Sequence, residues 1–109
     1  MTQMSYMSNE EQAQRRWRFL TNHTQVLLCI ARNPNVRLRD IAVHVGVTER
    51  AAQRILADLI DAGFVERERN GRQNHYSINR RVEMRHPAQL GREIGDLLDF
   101  LARSDEATR

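Results

Sequence analysis

The sequence predicts a mainly α-helical domain with one small β-hairpin, and three stretches carry that prediction. Leu38, Ile41, Ala42 and Val45 recur at helical spacing until Gly46-Val47 interrupt them. A second helical period starts at Thr48 and runs through Ala52, Ile55, Leu56 and Leu59 to Gly63. Residues 64–78, FVERERNGRQNHYSI, then read as two strands around Asn70-Gly71, the strongest short-range hairpin signal. Two short amphipathic helices joined through a glycine make a helix-turn-helix. With a hairpin directly behind it, the unit is a winged helix-turn-helix, here flanked by N- and C-terminal helices.

Taken in order, residues 1–7 show no period and are expected to be disordered. Ser8 with Glu11 forms a capping box that opens an N-terminal helix over 8–21. Ala13, Trp17 and Leu20 share one of its faces, and Arg15, Arg16 and Arg18 lie around the other. Asn22 with Gln25 suggests a further cap, after which Val26, Leu27, Ile30 and Ala31 form the first helix of the winged domain, 22–81. Asn33-Pro34-Asn35 ends it, because the residue before proline avoids helical angles. Val36-Arg37-Leu38 is expected to add a short edge strand to the wing. In the helix-turn-helix, Ala42 is small where helices cross, Gly46 suits a positive φ, and the Thr48 hydroxyl can cap the second helix. Glu49 then faces the positive end of the helix dipole.

With Asn70-Gly71 as a two-residue loop, Val65 is expected opposite Tyr76, Glu66 opposite His75, and Arg69 opposite Arg72. Val65, Tyr76 and Ile78 would face inward. Residues 82–102 read as a linker and a C-terminal helix opened by Pro87. Leu90, Ile94, Leu97, Leu98 and Leu101 form one apolar stripe on that helix. Gly91 and Gly95, four apart, would allow a close helix approach. Residues 103–109 are expected to fray.

Composition narrows the function classes. Forty per cent apolar and 28% charged residues suit a soluble globular chain. No apolar run approaches the ~20 residues of a membrane span, and the N-terminus lacks the pattern of a signal peptide. A single cysteine excludes an internal disulfide and suits a reducing cytoplasm. The net charge is +3 and the pI about 10.0, which permits a polyanionic partner. All 17 basic residues are arginine. Between Arg67 and Arg81 five arginines stand against Glu68 alone, a local +4, whereas three arginines against five acids leave −2 from His86 onward. No glycine-rich phosphate loop, activated nucleophile or catalytic carboxylate pair is present, so an enzyme is not expected, nor is a cofactor. His23, His44, His75 and His86 are scattered and make no metal site. Cys29 reads as a small, partly buried hydrophobe without a second cysteine to resolve an oxidised thiol.

On a recognition helix spanning 48–62, the apolar stripe turns Glu49, Arg50, Gln53 and Arg54 outward in the first half, the part that enters a major groove. Arg50 and Arg54 can grip guanine O6 and N7, and Gln53 can pair with adenine. Thr48 and Arg39 suit phosphate contacts, which position without specifying. In the wing, 67–74, Arg67, Arg69 and Arg72 can meet a backbone or a narrow minor groove. Double-stranded DNA is therefore the expected partner, together with a second copy of the chain. The C-terminal stripe would fold back on the Trp17 helix or pair with a second chain, or do both at once in an isologous homodimer that covers Trp17, Leu90, Ile94, Leu97, Leu98 and Leu101. The alternative is a protein-interaction adaptor without DNA binding, motivated by Glu49, Glu66 and Glu68. A small-molecule effector would need a pocket between the dimer helices and is not indicated by sequence.

Residues 22–81, through LRDIAVHVGVTERAAQRILADLIDAGFVERE and NGRQNHYSIN, resemble the winged helix-turn-helix bacterial regulators grouped with the MarR and ArsR families. The resemblance implies a cytoplasmic transcriptional regulator. MarR-like wings carry Asp-x-Arg; Asn70-Gly71-Arg72 stands there, so only Arg72 carries over. ArsR-like metal sensors place paired cysteines on the recognition helix or near the chain ends. This chain has none there, so metal sensing is not implied.

Overall fold

Two helices of the winged domain start where a threonine hydroxyl offers their first amides an acceptor. The computed structural model describes residues 19–84, 88 and 91–107. The Ser8 capping box and Trp17 lie outside those residues, and residues 19–21, the last of the expected N-terminal helix, are not helical. Thr21, rather than Asn22, caps α1 (Asn22–Arg32): its hydroxyl accepts from the Thr24 N–H at 3.2 Å. Val26, Leu27 and Ile30 are buried, whereas Ala31, expected inside, is rotated off that face and exposed. The helix stops at Asn33, ahead of Pro34.

Residues 36–38 form no edge strand. The described sheet has two strands, and one backbone bond, from the Tyr76 N–H to Pro34 O (2.8 Å), ties the loop to it. Proline has no N–H to return, and the Val36 N–H turns back to Asn33 O (3.0 Å), so no ladder extends from there. The helix-turn-helix follows as α2 (Leu38–Val45) and α3 (Glu49–Asp61). Gly46 takes φ +86°, and the Thr48 hydroxyl accepts from the Ala51 N–H at 3.0 Å. Val26, Ile41 and Ala52 are fully buried, and Leu27, Ile30, Ala42, Leu56 and Leu59 close the space between the three helices.

The hairpin forms in a different register from the expected one. β1 (Val65–Asn70) and β2 (Gln73–Ile78) pair Val65 with Ile78, Arg67 with Tyr76, Glu68 with His75, Arg69 with Asn74 and Asn70 with Gln73. The turn is Gly71-Arg72, with Gly71 at φ +62° and no other residue of the turn at positive φ. That is the type II′ pattern, which needs glycine only at its first central position, so Asn70 is released into the ladder. Arg69 and Arg72 are not opposite each other. The partner strand is displaced by two residues, which keeps every side chain on its expected face.

The C-terminal helix starts later than Pro87 suggests, and Pro87 itself lies outside the described residues. Glu83 bridges Glu93, the Met84 N–H donates to Arg92 O (2.9 Å), and the Ile94 N–H donates to Val82 O (2.8 Å). With residues 92–94 occupied in that pairing, α4 runs Ile94–Ala107, through much of the segment expected to fray. Gly91 precedes the helix; Gly95 alone makes the close approach, and it does so against Arg80. The Gly95 N–H donates to Arg80 O at 2.9 Å, Arg80 Nη2 donates to Gly95 O at 3.2 Å, and the same group meets Asp99 Oδ1 at 2.7 Å. A Cβ on Gly95 would stand 2.9 Å from both Cβ and O of Arg80. Gly95→Ala is therefore expected to destabilise by roughly 1–3 kcal/mol through overpacking, despite alanine's better helix propensity. A melting temperature equal to or above wild type would refute that contact.

Candidate nucleic-acid interface

The burial of α3 decides what it shows to solvent. Ala52, Ile55, Leu56 and Leu59 occupy the core, and Glu49, Arg50, Gln53 and Arg54 are exposed as the period predicts. The two arginines stand in the first half of the helix. The second half carries Asp58 and Asp61, and Asp58 Oδ2 meets His23 Nε2 of α1 at 3.0 Å. Both partners of that pair are about half exposed, so it adds at most about 1 kcal/mol. Its effect on the surface is to turn one acid of α3 toward α1. Thr48 is exposed at the turn between α2 and α3, and Arg39 is exposed in the first turn of α2, at that helix's other end. The Thr48 oxygen accepts from the helix, and its own proton stays available to an outside acceptor.

Strand alternation divides the wing by charge. Arg67 and Arg69 share a face with Val65, Asn74, Tyr76 and Ile78, while Glu66 and Glu68 take the opposite face with His75 and Ser77. Arg67 and Gln53 line one groove of about 330 Å³ between hairpin and α3, with Asn74 and Tyr76 alongside and Asp61 on its wall. The Arg69 Nε–H donates to Gly71 O at 3.1 Å and braces the turn, a role sequence reading missed. Arg72, inside the turn, is exposed.

Of the residues assigned to a dimer contact, Ile94 and Leu98 are buried in the chain's own core at 5% and 2% exposure. Leu97 and Leu101 are half-buried, and Trp17 and Leu90 lie outside the described residues. The apolar stripe is therefore shared between the domain core and a surface.

Cys29 borders a hollow of about 270 Å³ between α1 and α2, beside Leu28, Val36 and Val45. Burial pushes its thiol pKa up, and Arg32 pulls it partly back. The protonated thiol that results is a poor nucleophile at neutral pH. Among the described residues no three His, Cys, Asp or Glu side chains gather as a metal site.

Sequence reading also passed over Arg37, the residue before the first turn of α2, which reaches a cleft beside the wing. His23–Asp58 had no local signal, since 35 positions separate the partners.

The family model described as MarR family (MarR_2) matches residues 19–73, just over half of the chain. Among solved structures, the chain is similar to a predicted DNA-binding transcriptional regulator from E. coli, at 17% identity and TM-score 0.53, with 74% of each chain covered. It is also similar to the Mycobacterium tuberculosis MarR family protein Rv2887, solved in complex with salicylic acid, at 25% identity and TM-score 0.52. That match covers 82% of this chain but 62% of Rv2887, so the chain spans under two thirds of that protein's length. A third is the antimony-specific transcriptional repressor AntR, at 24% identity and TM-score 0.50, covering 78% of this chain and 68% of that one. The first and third likenesses carry the fold alone. Among curated proteins, none matches.

Proposed function

This chain belongs to the MarR family of transcriptional regulators, and from that premise we propose that it is a sequence-specific, double-stranded-DNA-binding regulator acting as a homodimer. The family consists of regulators rather than enzymes. α3 enters the major groove by its first half. Arg50 and Arg54 grip guanine edges, Gln53 pairs with adenine, and Glu49 can accept from cytosine N4. Arg39 and Thr48 hold phosphates, and Arg67, Arg69 and Arg72 meet the backbone or the minor groove. In the dimer the two α3 helices enter successive major grooves ~34 Å apart on a near-palindromic site.

One observation carries this reading: Gln53 of α3 and Arg67 of the wing line the same groove, so the basic wing and the reading helix adjoin on one side of the domain. The adaptor alternative draws on Glu49, Glu66 and Glu68; of these, Glu66 and Glu68 stand on the hairpin face away from Arg67 and Arg69, and Glu49 stays exposed on α3. Among the described residues no helix is long and apolar enough to cross a membrane; a bacterial cytoplasmic location fits a regulator of transcription. The salicylic acid complex of Rv2887 makes small organic acids the effector class to screen first, by thermal shift.

Binding-site selection from a random duplex pool, followed by anisotropy titration across salt concentrations, tests the proposal. The expected result is a near-palindromic consensus bound with a linear fall of log affinity in log salt. Folded protein with no salt-sensitive binding at about 50 mM salt would overturn it.

A further inference from the structure

Next to the groove shared by α3 and the wing lies a second cleft, of about 450 Å³, between the loop entering α2 and the turn end of the hairpin. Arg37 and Arg72 both line it, with Asn35, Gln73, Asn74 and Tyr76 alongside. No carboxylate lines it, whereas the neighbouring groove includes Asp61. Both residues are exposed, and neither guanidinium has an ion pair or side-chain hydrogen bond among the described residues, so the two arginines bordering this cleft carry uncompensated charge. The cavity is also held in shape. The Tyr76 N–H donates to Pro34 O at 2.8 Å, and His75 Nδ1 meets Asn35 Oδ1 at 2.9 Å, fixing the loop to β2.

We propose that Arg37 and Arg72 clamp a backbone phosphate of the DNA duplex in this cleft, which makes Arg37 a positioning residue for DNA binding. The inference rests on the DNA-binding reading and adds to it a residue and a site. Two arginines bordering one cleft with no acid in its lining suit an anion there, and a phosphodiester supplies that charge with acceptor oxygens for two guanidinium forks. A phosphate contact carries no sequence information, so its loss must weaken all duplexes alike. Free inorganic phosphate presents the same chemistry and is separated from DNA by the experiment.

The test is anisotropy titration of wild type, Arg37→Gln, Arg37→Lys, Arg72→Gln and the Arg37→Gln/Arg72→Gln double variant, on the selected duplex and an unrelated one across salt concentrations. Thermal melts report that each variant folds. Arg37→Gln is expected to weaken binding about tenfold on both duplexes, the scale of a lost charged hydrogen bond, and to lower the salt slope by about one. Arg37→Lys should restore the slope. The double variant should lose less than the product of the singles, since the two arginines share one phosphate. Unchanged affinity and slope in Arg37→Gln, with wild type binding, overturns the clamp and leaves the DNA-binding reading standing. A loss confined to the selected duplex overturns it too, because that is base readout. Amide shifts at Asn35 and Gln73 on adding inorganic phosphate, with DNA affinity indifferent to Arg37, would assign the cleft to the free anion instead. Failure of wild type to bind either duplex removes both readings.

Discussion

Arg50→Glu combined with Arg54→Glu is expected to abolish binding to the selected duplex while leaving the melting temperature near wild type. Both side chains are exposed, and the stripe that folds α3 into the domain does not include them. Surface changes of that kind usually move stability by no more than about 0.5 kcal/mol. Their cost falls on binding, since each bidentate guanine contact is worth about 1–3 kcal/mol of discrimination. Reversal adds repulsion from the phosphates to the lost contacts. The single alanine variants separate the roles further. Arg50→Ala and Arg54→Ala should each relax selectivity at their own base position, read as a smaller penalty for substituting that base pair. Arg39→Ala should lower affinity evenly, as a phosphate contact does. A folded double variant that binds the consensus as tightly as wild type would remove α3 from the interface. Pull-down partners that change while DNA affinity does not would move the chain to the adaptor class.

How much of this was legible in the sequence follows from how local each signal is. The helix-turn-helix was readable because its period, its cap at Thr48 and its turn at Gly46 lie within a few residues of one another, and each formed as expected. The outward set on α3 followed from the same stripe. The existence of the hairpin was equally local, but its register was not. Asn70-Gly71 is a type I′ signal that asks for positive φ at both residues, and a type II′ turn on Gly71-Arg72 needs it only at Gly71. The second solution sets Val65 beside Ile78 and separates Arg69 from Arg72. With that register Arg69 and Arg72 do not face each other, and it is Arg37 and Arg72 that border one cleft. Arg37 was hidden because only folding carries the loop before α2 to the hairpin, through bonds from His75 and Tyr76 to Asn35 and Pro34. Helical spacing likewise announced the C-terminal stripe without saying what would cover it.

That stripe yields the other large effect, because one row of leucines along α4 serves two surfaces. Ile94 and Leu98, one turn apart, reach the core beside α1. Leu101 is the next position on the same line, and α4 continues to Ala107, so the row outruns the core and leaves Leu101 half-buried. Leu98→Ala should therefore cost about 2–5 kcal/mol, seen as a fall in melting temperature at every protein concentration, since the lost packing lies within one chain. Leu101→Asp should leave that core in place and act on the proposed dimer, converting it to monomer in sedimentation equilibrium. Losing the second half-site contact should weaken binding to a palindromic duplex by about a hundredfold or more, while binding to a single half-site stays near wild type. If Leu101→Asp sediments as wild type does and binds the palindrome as tightly, the exposed end of α4 is not where two copies meet. A concentration-dependent melt for Leu98→Ala, with the variant restored at high protein, would mean that even the buried end of the row takes its stability from a partner.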